Sequence, residues 1–421
     1  MRTHWNPGPC QAAALLFLLA AATCPAAGEV KVLDPGFHHL RNLEPREWDH
    51  FPDLAENKQL EVTFDLPNSQ TFKTLTFRQA DVKQTWEVHL NDKKIGQLDQ
   101  DDNDLEHSLP LPPGLLKKAQ NRLTIGTRSD KPDDIRLGRL GLHPSPRKEM
   151  CREATLSISV RDPSGQPLPC RLTIVDAGTN HLVLLGAASS DRLAVRAGVI
   201  YSLDGMAETG VRPGTYKIHA GRGFEYSHAE TTVQIAAGAR REISLTLQRE
   251  VDTSGLVACD PHLHTGEFAR HGDATLTERL ITIAGEGIEL PISTEHDQHI
   301  DFAPEARRIG ADRFFTPVIG CEVTTKLGHF NSFPIESGAP PAQHQLRPWP
   351  RIFRNIFATP GVKVVILNHP RDLHAGFRPL DPAHFDATRG RFSDGRLLRA
   401  NGMEVINSGA QQSDPMQLVH D

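Results

Sequence analysis

The segment 259–297 most constrains the fold, because it opens with Asp-Pro-His-Leu-His and closes with Thr-Glu-His-Asp. If residues 256–264 form a β-strand, alternate side chains project from one face, which places Asp260, His262 and His264 together. Ionisable side chains crowded at a strand end lose hydration, and a bound cation compensates for that loss. The segment therefore predicts a strand edge that binds metal.

The pattern from residue 256 onward alternates predicted strands with helical stretches such as 275–285. This alternation predicts an α/β barrel or a parallel sheet, in which reactive groups gather at the carboxyl ends of the strands. The predicted strands are 256–262, 290–294, 315–323, 329–335, 362–368 and 402–407.

Almost every one of these strands carries a potential metal ligand at or near its end. The residues are His262, His264, Glu295, His296, Glu322, His329, His369 and Glu404. A single histidine near a strand end is usually structural, but its recurrence on several strands favours a metal centre. Imidazole and carboxylate donors without a thiolate suit Zn, Mn or Fe, and a bridging carboxylate suits more than one ion.

Four segments, 260–297, 320–331, 368–371 and 402–407, resemble the motifs of the PHP (polymerase and histidinol phosphatase) metallohydrolases. The secreted branch typified by carbaryl hydrolase is the most similar. The resemblance runs from residue 256 to the end of the sequence. It implies a distorted (β/α)7 barrel that binds two to three divalent metal ions.

The resemblance also implies a ligand set. His262 and His264 would hold one ion, Glu322 would bridge it to a second, and His369 with His329 would complete the second site.

A third ion would be bound by Asp273 and His296, with His271 as a rival for the position of Asp273. Glu404 would be a ligand or would support one.

This ligand set predicts hydrolysis of a small-molecule phosphate, carbamate or carboxylic ester by a metal-bound hydroxide. Glu322, His296 and Arg371 are the predicted catalytic residues, and Arg371 or Lys326 would contact an anionic group of the substrate; solvated charges at the rim are the alternative.

The sequence departs from the family pattern at two places. Glu295 stands where the family has aspartate, and the extra methylene would move that carboxylate or leave it away from the metal. The late Asp-x-His pair of the family has no counterpart, so we expect a partial barrel in a truncated chain or in a domain with fewer metals.

The first 28 residues have a basic start, a short apolar core and a small-residue exit, which predicts a signal peptide and a secreted or periplasmic protein. No later stretch is apolar for the roughly 20 residues that a membrane span needs. The 52 acidic and 46 basic residues provide no basic field for nucleic acid.

Two β-rich regions precede the metal-binding region. Region 33–143 resembles galactose-binding-like β-sandwiches, where Trp86 would either stack on a glycan or, as a strand tryptophan usually does, fill the core. Region 151–249 resembles the carboxypeptidase-regulatory or transthyretin-like sandwich, which predicts a spacer or docking module. The second functional hypothesis is an exported, non-catalytic protein that binds glycans or envelope partners and carries an inert barrel.

The cysteines outside the predicted signal peptide are Cys151, Cys170, Cys259 and Cys321. Export permits a disulfide between Cys151 and Cys170. Cys259 and Cys321 are expected to be small buried hydrophobic residues.

Overall fold

The computed structural model describes residues 30–47, 50–66, 72–370 and 377–405. The predicted signal peptide and the predicted catalytic Arg371 lie outside these residues. None of the helices in the described ranges has the length and apolarity needed to cross a membrane.

The first β-rich region folds as two antiparallel sheets that enclose one hydrophobic core. Its sheets have the strand orders β1-β8-β3-β6 and β2-β7-β4-β5. The strands are β1 (Lys31–Arg41), β2 (Leu60–Phe64), β3 (Thr74–Ala80), β4 (Trp86–Leu90), β5 (Lys93–Gln97), β6 (Leu105–Pro110), β7 (Asn121–Thr127) and β8 (Asp134–His143).

Trp86 belongs to this core. Its side chain is fully buried, and its indole nitrogen donates a hydrogen bond of 2.7 Å to the carboxylate of Asp133. The prediction of a core tryptophan is therefore confirmed, and Trp86 presents no face on which a glycan could stack.

The second β-rich region follows the short helix α1 (Arg147–Met150) and also consists of two sheets around one core. Their orders are β11-β12-β10-β14-β15 and β13-β9-β16. The strands are β9 (Ala154–Arg161), β10 (Cys170–Asp176), β11 (Leu193–Arg196), β12 (Val199–Ser202), β13 (Met206–Val211), β14 (Gly214–Gly221), β15 (Ala229–Ile235) and β16 (Arg240–Thr246). We call this unit the second sandwich.

The cysteines differ in their environments. Cys151 and Cys170 are buried free thiols and do not form the disulfide that export would permit. Cys321 is buried as expected, whereas Cys259 is exposed.

The remaining chain contains two further sheets with the orders β17-β18-β19 and β20-β21-β22-β25, and a small hairpin β23-β24. The elements are β17 (Cys259–Leu263), α2 (Leu276–Gly285), β18 (Leu290–Ser293), α3 (Ala303–Ile309), β19 (Val318–Ile319), β20 (Cys321–Thr325), β21 (Gly328–Phe333), α4 (Trp349–Phe357), β22 (Val364–Leu367), β23 (Phe385–Asp386), β24 (Arg391–Phe392) and β25 (Gly402–Met403).

The predicted (β/α)7 barrel is wrong for the described residues. They form seven separate sheets of two to five strands, and none of these closes on itself. Only β17, β18 and β19 follow one another in parallel with helices between them. β20, β21 and β22 are antiparallel neighbours, and the two residues between β20 and β21 are too few for the crossover that a parallel pair requires.

Helix α2 connects the second sandwich to this last region. The helix begins with a capping box between Thr275 and Glu278, which satisfies two otherwise free backbone N–H groups. Its buried face shares a core with Leu203 of the second sandwich. At the other end, Arg222 of the second sandwich donates to the carbonyl of Ala284. The second sandwich therefore packs against the helix that precedes the candidate site. Its sequence had suggested only a spacer or docking module.

Candidate metal centre

Glu322 lies at the centre of a cluster of imidazoles. It is the second residue of β20, and its side chain is completely buried. Its Oε1 atom is 3.1 Å from His329 Nδ1 and 3.1 Å from His369 Nε2, and it accepts a hydrogen bond of 3.0 Å from the side chain of Asn368. One carboxylate oxygen is therefore surrounded by two imidazoles and an amide.

The second oxygen of Glu322 faces a different set of histidines. Its Oε2 atom is 2.9 Å from His264 Nε2, 3.2 Å from His296 Nδ1 and 3.4 Å from His262 Nε2. A single buried carboxylate thus separates two groups of imidazole nitrogens, which is the geometry expected of a bridging ligand.

Strand register explains how distant residues reach this carboxylate. The parallel pairing of β18 continues beyond the strand as a bridge between His296 and Glu322. On the other side, antiparallel pairing places His329 opposite Thr324, two residues from Glu322 and so on the same face. Asn368 follows β22 and is tied to β21 because its backbone N–H donates to the carbonyl of His329.

Glu404 supports two of the histidines from behind. Glu404 accepts hydrogen bonds from His262 Nδ1 and from the backbone N–H of His369. Carboxylates in this position fix the orientation of metal-binding imidazoles.

Glu295 is buried and accepts two hydrogen bonds from Thr265, while its other oxygen lies 3.9 Å from His264 Nδ1. Both facing atoms are buried and make no hydrogen bond. Glu295 therefore sits behind His264, away from Glu322.

His271 occupies the position for which Asp273 was the preferred prediction. His271 Nε2 is 2.7 Å from His296 Nε2, and a ligand atom of each lies within 4.8 Å of His264. The side chain of Asp273 is 76% exposed and is paired with Arg196 of the second sandwich. The structure thus removes Asp273 from the cluster and adds His271.

The charges in the cluster divide the histidines into two kinds. Burial alone would raise the pKa of Glu322, but hydrogen bonds from the surrounding histidines hold that pKa well below its usual range. Burial disfavours charge on His262 as well, yet its contacts with Glu322 and Glu404 raise its pKa to about 10. Burial lowers the pKa of His296 to about 4, and neighbouring histidines add to this effect.

The donor atoms have the spacing of ligands that share an ion. With Zn–N bonds of about 2.0–2.1 Å, two ligands of a tetrahedral ion lie about 3.3 Å apart. The Nε2 atoms of His262 and His264 are 3.1 Å apart. Cys321, next to Glu322, offers no thiolate, because it is buried and that burial raises the pKa of its thiol to about 12.

The structure brings together six of the eight predicted metal ligands, namely the carboxylate of Glu322 and the five histidines around it. They are His262, His264, His296, Glu322, His329 and His369. Glu404 supports two of them, Asp273 is elsewhere, and Lys326 is exposed in the turn between β20 and β21.

Sequence reasoning missed Asn368 and Thr324 as parts of the site. Asn368 donates to Glu322 and to Asn331, and Thr324 Oγ1 lies 2.7 Å from His296 Nδ1. Asn368 directly precedes a predicted ligand, and this adjacency was the available signal.

No protein-family model matches the sequence, and no curated protein is similar to it at a significant level. Several solved structures share weak structural likeness. The minor pilin GBS52 of Streptococcus agalactiae has a TM-score of 0.21 and 10% identity, covering 51% of this chain and 97% of the pilin. The β-glucuronidase of Faecalibacterium prausnitzii has a TM-score of 0.21 and 14% identity, covering 70% of this chain and 60% of the enzyme. The β-glucuronidase of Ruminococcus gnavus has a TM-score of 0.21 and 10% identity, covering 79% and 63% of the two chains.

Proposed function

We propose that this protein is an exported metal-dependent hydrolase that cleaves phosphate, carbamate or carboxylic esters of small molecules. The observation that carries the proposal is the buried Glu322 carboxylate, each of whose oxygens faces its own group of histidines. Two groups of imidazole donors on either side of one carboxylate would suit two divalent ions of the Zn, Mn or Fe type.

The residues present fit such ions. Imidazole nitrogens and carboxylate oxygens are the available donors, and the carboxylate of Glu404 orients His262 as metal-binding histidines require. His271 joins His264 and His296, which also face Glu322, in a group of three donors that would hold a third ion. A divalent cation in this cluster supplies Lewis acidity and lowers the pKa of a bound water from about 15.7 towards about 7.

The imidazole of His296 is suited to bind a metal ion as a neutral donor. Because burial lowers its pKa to about 4, its imidazole is uncharged at neutral pH, which is the form in which histidine binds a metal ion. The hydroxyl of Thr324 lies 2.7 Å from its Nδ1 and fixes the ring beside Glu322.

The motif resemblance to PHP metallohydrolases supports the ester substrate, and the predicted signal peptide supports a secreted or periplasmic location. The ligand set and the reaction do not require a closed barrel. Arg371, which is predicted to contact an anionic group of the substrate, lies outside the described ranges.

The test compares hydrolysis with metal content. The protein is stripped with chelator, reloaded with Zn²⁺ or Mn²⁺, and assayed on p-nitrophenyl phosphate, p-nitrophenyl acetate and 1-naphthyl N-methylcarbamate. We expect turnover of at least one ester to need metal and to fall by about 100-fold or more in His262→Ala. His181→Ala changes a histidine of the second sandwich and should retain turnover.

Full activity of His262→Ala, or of the stripped protein, would contradict the proposal. A protein that binds a glycan with the same affinity in chelator, and hydrolyses none of the three esters with metal, would favour the non-catalytic hypothesis.

A further inference from the structure

A second group of metal-type ligands lies on the second sandwich. Among the described residues, His219, His228 and Glu230 offer three ligand atoms within 4.8 Å of one another. None of them contacts Glu322 or its histidines in the described structure. This group therefore belongs to a different surface from the candidate metal centre.

Strand pairing brings the three side chains together. β14 and β15 are antiparallel, and His219 is directly opposite Glu230. Side chains of directly opposed residues lie on the same face with Cβ atoms about 4.5–5.5 Å apart. His228 is two residues before Glu230, so it projects from that face as well.

The face in question is turned away from the core of the second sandwich. Ile218 and Ala220, which flank His219, are buried in the core, whereas His228 and Glu230 are exposed. β15 is at the edge of its sheet, so the ligands are accessible from solvent. An ion bound here would keep open positions for water or for a donor from another molecule.

We propose that His219, His228 and Glu230 form a separate binding site for a divalent transition-metal ion. His219 Nδ1 is 3.1 Å from His228 Nε2 and 3.4 Å from a carboxylate oxygen of Glu230. These separations match the spacing of about 3.3 Å between ligands of one tetrahedral ion. Two imidazoles and one carboxylate select Zn²⁺, Cu²⁺ or Ni²⁺ over Ca²⁺ and Mg²⁺.

Lys217 is the competitor for this site. Its ammonium nitrogen is 3.0 Å from the same oxygen of Glu230, and both side chains are partly exposed. An exposed ion pair contributes little to stability, so a divalent cation displaces the lysine at small cost. Lys217→Gln should therefore strengthen metal binding, because it removes a positive charge beside the ligands.

The test counts metal ions on the full chain. Apoprotein is equilibrated with Zn²⁺ by dialysis, and bound zinc per chain is measured for the wild type, His228→Gln and His262→Ala. We expect His228→Gln to lose one ion per chain, or to bind that ion more than about tenfold more weakly, while ester turnover is unchanged. His262→Ala should lose ions at the other centre and keep this one, so the two proposals fail independently.

The control is His181→Gln, which changes the remaining described histidine of the second sandwich and should bind as much zinc as the wild type. His228 is exposed, and equal melting temperatures would show that both variants are folded. If His228→Gln binds the same number of ions with the same affinity, the contact of 3.1 Å is an ordinary imidazole hydrogen bond and the site does not exist.

Discussion

Arg222 offers the sharpest test of how the second sandwich supports the candidate site. Its guanidinium is buried between the sandwich and α2, where Nη1 donates to the carbonyls of Pro169 and Ala284. The guanidinium carbon also lies 5.4 Å from the ring centre of Tyr226 and 5.7 Å from that of Phe314. One side chain therefore joins two units and caps the carboxyl end of a helix.

The substitution Arg222→Met keeps most of the aliphatic volume and removes the donors. The carbonyl of Ala284 keeps a hydrogen bond from the backbone N–H of Gly287, so the main loss is at the carbonyl of Pro169. A buried carbonyl left without a partner costs about 1–3 kcal/mol, and the lost cation–π contacts add about 0.5–2 kcal/mol. Methionine also removes the cost of burying a charge, which opposes these losses. We expect the free energy of unfolding to fall by about 2–3 kcal/mol.

The measurements are urea denaturation and hydrogen exchange followed by mass spectrometry. Arg222→Met should speed exchange in α2 (Leu276–Gly285) together with β10 (Cys170–Asp176), because both units lose the same contact. The control Arg240→Met removes an exposed arginine of the same sandwich and should leave both segments unchanged. Unchanged exchange in α2, with a separate unfolding transition for the last region, would refute the shared packing.

Three other predictions concern the metal, the third ligand group and the first sandwich. Zn²⁺ or Mn²⁺ at about 100 times its dissociation constant should stabilise the wild type by about 2.7 kcal/mol in thermal denaturation, and Glu322→Gln should lose most of this effect. His271→Gln should weaken binding of one ion by more than about tenfold in zinc titrations, while Asp273→Asn leaves it unchanged. Because burial raises the pKa of Asp133 to about 7, its protonated form favours folding. The free energy of unfolding should therefore fall as the pH rises from about 4 to about 7, and Asp133→Asn should show a weaker dependence.

The convergence of these side chains was predictable from sequence because the rule that places polar residues at strand ends is local. His262 and His264 lie at the end of β17, and His296 lies just beyond β18, its parallel neighbour, so their side chains meet at one sheet edge without any closed barrel. This rule could not decide whether the strands close into a barrel, since closure depends on the order and direction of the strands. The five residues between the predicted strands 315–323 and 329–335 already left no room for a helix.

Partners distant in sequence decided the positions that sequence reasoning misplaced. Asp273 has the right chemistry for a ligand, but Arg196, 77 residues earlier, pairs with it on the outside. Its removal leaves the place to His271, which the spacing of the motif could not distinguish from it. The core position of Trp86, which was predicted correctly, also depends on a distant partner: Asp133, 47 residues later, accepts the hydrogen bond of the buried indole nitrogen.

The number of imidazoles around Glu322 argues for metal ions over a purely structural ion pair. A buried carboxylate needs one or two cationic partners, and His262 and His264 already supply them. Against the effect of burial, Glu322 and Glu404 raise the pKa of His262, and Glu295 and Glu322 raise the pKa of His264. Burial lowers the pKa values of His271 and His296, so these two rings are neutral at pH 7 and add nothing to charge balance. The Nε2 atoms of these two rings are 2.7 Å apart, and neutral imidazole is the form in which histidine binds a metal ion, so the pair fits the proposed ions better than a structural ion pair.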